Sequence, residues 1–221
     1  MGAALANSSG LLLVDHGGNV VFYNRINIAL LKIAEDQNDY RKLRLEQPIS
    51  EIRKRAANSS LSNDTKELFS SPFFEAYWFK RVRQNRMLLS YLQTPPNERQ
   101  LYTVTDFPCA PGNYLFEKEL FERVSSLAKR DRIVSVQAKL SDEETSQAIS
   151  HFLTQCQSPL GVLDVSNIRT NGLMGGEEEI RSLLANVAKF GRAADQAILL
   201  TTEPIAAKSE KPGRFSNIEH W

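Results

Sequence analysis

In the second half of this chain, short apolar runs rich in β-branched residues alternate with amphipathic stretches of helical spacing, and few architectures accommodate that order. The apolar runs are "LYTVTDF" at 101–107, "RIVSVQAKL" at 132–140, "LGVLDVSNI" at 160–168 and "QAILLTTE" at 196–203. The stretch "NYLFEKELFERVSSLAKR" places Leu120, Phe121, Val124, Leu127 and Ala128 on one helical face. "SDEETSQAISHFLTQC" does the same with Ile149, Phe152, Leu153 and Cys156, and "EEEIRSLLANVAKF" with Ile180, Leu183, Leu184, Val187 and Ala188. Near-continuous apolar strands are buried on both faces, and strands separated by helices pair in parallel through crossovers. The expected fold is α/β: an open, mostly parallel sheet flanked by helices. Ser141 and Glu144 have the spacing of a capping box, so the second helix is expected to start there.

The segment "LLLVDHGGNVVFYN" at 11–24 admits two readings. In one, "LLLVD" is a buried strand and Gly17, Gly18 and Asn19 turn the chain into a helix from near Val20. That helix carries Phe22, Ile26, Leu30, Ile33 and Ala34 on one face. In the other, Val20, Val21 and Tyr23 continue as a second strand, and the stretch through Ile33 resembles the start of a PAS sensor domain. That resemblance covers only the opening; the helix-forming patterns that follow it and the strand–helix rhythm after residue 100 favour strand then helix.

Residues 35–100 read as helical segments broken at Pro48, at the Asn/Ser stretch 58–64 and at Pro72. They form a basic helical insertion: the part from Arg41 to Arg86 carries a net charge of +6, which leaves −5 for the remainder of a chain whose total is +1. With Tyr77, Trp78 and Phe79 close by, such a face could meet phosphate or nucleic acid, but a solvated basic face with the aromatics in the core is the default reading. Residues 1–10 read as a frayed start or a cloning remnant, and 11–221 as a single α/β domain holding the insertion.

A hydrophobic fraction of 42% with 24% charged residues places the chain among globular proteins rather than disordered ones. The sequence has no apolar run of membrane-spanning length and no signal peptide, so the expected location is the cytoplasm; delivery by a leaderless secretion route would leave no mark. Cys109 and Cys156 stand alone, without CxxC spacing or a histidine cluster, and no metal site is expected. Cys156 reads as a small core residue. His16, His151 and His220 are scattered, and no P-loop, HExxH or GxSxG pattern occurs.

Ligands of open α/β sheets gather beyond the carboxyl ends of the strands, which draws attention to Asp15, Asp106, Ser141, Asp142, Ser166, Asn167 and Glu203. On "LLLVD", "RIVSVQAKLSD", "GVLDVSNI" and "AILLTTE" the series resembles the class I S-adenosylmethionine-dependent methyltransferases, and more closely a group of bacterial proteins of that Rossmann-like fold. The matched order spans most of residues 11–203 through short motifs. The glycine-rich turn with which that family begins has no counterpart in "MGAALANSSG". The resemblance implies S-adenosylmethionine as cofactor, with Asp15 and the adjoining His16 at its ribose and Asp142 at its adenine. It places Asp164, Ser166 and Asn167 at the reacting centre, where methyl transfer needs alignment more than a strong acid or base. A non-catalytic α/β interaction or regulatory module derived from the same fold is the alternative.

Overall fold

The computed structural model describes residues 8–79, 114, 117–164, 177–188, 193–204 and 215–220. The chain divides into two compact units, residues 3–137 and 138–221.

The opening stretch resolves as strand then helix. β1 (Leu11–Asp15) passes through Gly17 into α1 (Gly18–Ile33), which buries Val21, Ile26, Ala29, Leu30 and Leu31. Val20 and Tyr23, strand formers by local propensity, are overridden here because the apolar stripe of α1 is what the core needs. The antiparallel N-terminal sheet that a PAS start requires is replaced by a parallel pair: β1 lies beside β2 (Ile133–Gln137), with Leu11 opposite Ile133 and Asp15 opposite Gln137.

Between these strands run α2 (Gln37–Leu45), α3 (Ile49–Ala57), α4 (Asn63–Ser70), a π-helical stretch (Phe74–Phe79) and α5 (Lys118–Lys129). The breaks fall where the sequence puts them. Pro48 stands at the N-cap of α3, and Ser62 caps α4 by accepting the Thr65 N–H. Asp36 likewise caps α2 through the Asp39 N–H.

Among the described residues the first unit packs around one core. Ile26, Leu30, Leu43, Ile52, Phe69 and Phe74 are essentially without exposure and cluster with Phe121, Leu127 and Ile133. Tyr40 sits between Tyr114 and Phe121, ring centroids 6.2 and 5.7 Å away, and Phe69 meets Phe74 edge-on at 5.2 Å. The small residues Ala29, Ala34, Ala56 and Ala128 are buried in the same cluster, which lets helix backbones approach closely. Ser125 Oγ donates to Leu31 O and ties α5 to α1.

In the second unit α6 (Glu143–Gln155), β3 (Leu160–Asp164), α7 (Glu177–Val187), β4 (Ala193–Pro204) and β5 (Phe215–His220) succeed one another. β3 pairs with β4 in parallel and β4 with β5 antiparallel. The helices α6 and α7 are joined by polar contacts: buried Ser146 donates to Asn186 O at 3.0 Å, and Asn186 Nδ2 donates to Ser141 O at 2.8 Å.

Two local expectations are corrected here. The N-cap of α6 is Asp142 rather than Ser141, and its side chain makes no capping bond. The Ser141 carbonyl instead holds Asn186, so this turn is set by a tertiary contact. Cys156 is exposed, because α6 ends on it and its side chain leaves the face that carries Ile149; Phe152, assigned to the same face, is also exposed.

Both α5 and α6 stop in the same way. Arg132 N–H reaches Leu127 O and Asp131 N–H reaches Ala128 O, with Asp131 at φ 58°. Ser158 N–H reaches Leu153 O and Gln157 N–H reaches Thr154 O, with Gln157 at φ 49°. Each is a Schellman close feeding a strand, with a side-chain-bearing residue where glycine is usual.

Candidate functional site

At the carboxyl end of β1 the chain must turn sharply into α1, and an aspartate followed by two glycines does this. Asp15 Oδ1 accepts the Gly17 N–H at 2.7 Å. A Cβ at residue 17 would stand 3.1 Å from that same oxygen, so glycine is what lets the carboxylate close the turn. At residue 18 a Cβ would lie 3.4 Å from Gln137 Oε1.

Gln137 ends β2 directly opposite Asp15, and its Nε2 donates to His16 O at 3.2 Å. The His16 ring lies 3.8 Å from Asp15 Oδ1 and is 61% exposed, against 33% for the Asp15 side chain. Asp15 Oδ2 makes no hydrogen bond to a described residue. The result is a carboxylate, an imidazole and a primary amide at the ends of two parallel strands, beside the N-terminus of a 16-residue helix. Such a set can accept hydroxyl protons and donate to oxygen.

The remaining residues expected at a site fall elsewhere. Asp142 opens α6 and Asp164 ends β3, opposite Leu200 of β4; both belong to the second unit. Ser166 and Asn167 lie outside the described residues, as do Asp106 and Cys109. Asp15 and His16 are therefore brought together with each other. Gln137 was missed by sequence reading, since only the strand register reveals it as the neighbour of Asp15.

A second polar centre lies deeper in the first unit. Arg44 is 6% exposed, donates to the Tyr23 hydroxyl, and approaches the Tyr114 hydroxyl at 3.4 Å. Burial opposes its charge, but the phenol oxygens of Tyr40, Tyr114 and Tyr23 outweigh burial and raise its pKa. Burial, with Tyr114 beside it, pushes the Tyr40 hydroxyl well above the ordinary tyrosine range. Gln37 Nε2 donates to Tyr114 O at 2.9 Å. This cluster fastens residue 114 to α1 and α2.

A third centre joins the start of α2 to α3. Arg55 donates twice to the Asp39 carboxylate and once to Ile33 O, 2.8 Å away, while Glu35 N–H donates to Asp39 Oδ2 at 2.8 Å.

Among the described residues no group of three or more His, Cys, Asp or Glu side chains could hold a metal ion. No helix of the described residues is long and apolar enough to cross a membrane. Compared with known families, the chain matches over residues 2–171 the model of a family described as a domain of unknown function (DUF7790). No curated protein matches it.

Proposed function

The chain belongs to the DUF7790 family, and we propose for it a methyltransferase-like role in which S-adenosylmethionine is taken at the carboxyl end of β1. The observation that carries this reading is the Asp15 carboxylate, partly exposed at the end of a parallel strand and level with Gln137. A ribose offers two neighbouring hydroxyls, and a carboxylate with an uncommitted oxygen accepts from such a diol. Gly17 and Gly18 place no Cβ against the Asp15 carboxylate or the Gln137 amide. Gln137 and His16 would orient the sugar from either side.

The proposal extends to a Rossmann-like open, mostly parallel sheet, with residues of about 35–100 as its helical insertion. The bound cofactor supplies an activated methyl group on sulfonium sulfur. The protein's part is to hold donor and acceptor at reacting distance.

Isothermal titration of the whole chain with S-adenosylmethionine and with its demethylated product tests the reading. Saturable binding is expected, weakened about tenfold to a hundredfold in Asp15→Ala, as for loss of hydrogen bonds to a charged group. Asp15→Asn keeps an acceptor for the Gly17 N–H and separates lost charge from a disturbed turn. Absence of binding, or equal binding by all three proteins, overturns the cofactor assignment and leaves the non-catalytic α/β module.

A further inference from the structure

At the far end of α1 from Asp15 the first unit opens into a cleft of about 1030 Å³, lined by the end of α1, by α2 and α3, by the loop 58–62 and by the end of α5. The 16 residues of α1 span about 24 Å, so this cleft is distinct from the strand-end turn. Its volume is at the upper end of what small-molecule sites enclose, about 300–1,000 Å³.

Two of its cations are already engaged. Lys32 pairs with Asp131, and Arg55 with Asp39 and Glu35, so the charges of these two cations are already answered by carboxylates. Lys54 and Lys129 also line the cleft, on α3 and α5, and among the described residues neither has an ion-pair or hydrogen-bonding partner for its ammonium group. The side chains of Gln47, Asn58, Ser60 and Glu51 in the lining are likewise uncommitted.

We propose that this cleft binds a phosphorylated polyol, the chemical class of the sugar phosphates. Lys54 and Lys129 supply positive charge for one phosphate group. The amides of Gln47 and Asn58, the Ser60 hydroxyl and the Glu51 carboxylate supply the mixed donors and acceptors that sugar hydroxyls require. Glu51 also selects against a ligand that is anionic along its whole length, such as a polyphosphate or a nucleic-acid backbone, through like-charge repulsion. No aromatic ring lines the cleft among the described residues, so a nucleobase would find no stacking surface there.

The test is calorimetric titration of the whole chain, in a buffer of low ionic strength free of phosphate, with ribose 5-phosphate and glucose 6-phosphate. Free ribose and inorganic phosphate are run beside them. At least one sugar phosphate is expected to saturate the protein, inorganic phosphate to bind more weakly and ribose not at all. The double substitution Lys54→Ala with Lys129→Ala is expected to weaken binding by at least about tenfold. Both lysines are exposed, and circular dichroism checks that the variant folds.

Failure of both sugar phosphates to saturate at about 10 mM overturns the proposal, as does unchanged affinity in the double variant. Inorganic phosphate binding as tightly as either sugar phosphate overturns the polyol assignment. Asp15→Ala is expected to leave sugar-phosphate binding intact, so this proposal and the S-adenosylmethionine reading fail separately.

Discussion

Asp39 shows how the first unit settles a conflict between burial and charge at a single residue. Burial alone would raise its pKa; the Arg55 guanidinium, the Glu35 N–H and the Lys42 charge together lower it from 3.8. A carboxyl whose folded pKa is depressed contributes stability that is present above the unfolded value and lost as pH falls through the folded one. The loss should therefore be confined to the acid side of pH 3.8. In urea titrations at a series of pH values, Asp39→Asn is expected to be less stable than the parent at neutral pH. The gap should close as the pH falls below that of the free carboxyl. A gap independent of pH would show that the Asp39 charge contributes nothing. Little of this was legible beforehand: Asp39 and Arg55 are 16 positions apart, and nothing in their local sequence joins them. Asp15 is different, because an apolar run ending in aspartate and two glycines announces its own turn.

Elements are legible in the sequence wherever a local rule decides them. The proline breaks before α3 and near residue 72, the Ser62 cap and the apolar stripes of α1 and α5 all follow from spacing and capping chemistry. The start of α6 is not legible locally, because Asn186, 45 residues away, bonds the Ser141 carbonyl. The stops of α5 and α6 were also hidden. Each uses a left-handed residue that is not glycine, Asp131 or Gln157, so the usual sequence signal is missing. Gln157 carries the steric cost of that conformation at an exposed helix end. Gln157→Gly is expected to raise the unfolding free energy by about 0.5–1 kcal/mol, the relieved strain exceeding the added freedom of the unfolded chain. Equilibrium urea denaturation measures it; an unchanged or lower midpoint at equal slope would contradict the strain argument.

On the scale of the molecule, the alternation of strands and helices gave the α/β class, and the parallel pairs β1–β2 and β3–β4 agree with it. The antiparallel β5 was not foreseen, and among the described residues the strands form two sheets, one in each unit. Periodicity reports which face of an element is buried but not which strands share a sheet, since pairing depends on contacts distant in sequence. The same limit hid the cleft at the far end of α1. Its lining draws residues from 32 to 131, and no local pattern connects Lys54 with Lys129.

Whether a nucleoside cofactor sits at the β1–α1 turn is read most directly from the glycines there. We would label the glycines of the whole chain with nitrogen-15 and titrate with S-adenosylmethionine. The Gly17 and Gly18 amides, identified by substitution, are predicted to shift saturably with one affinity, while Gly10, just before the opposite end of β1, stays in place. Unmoved Gly17 and Gly18 resonances at saturating cofactor, or shifts confined to other glycines, would contradict it.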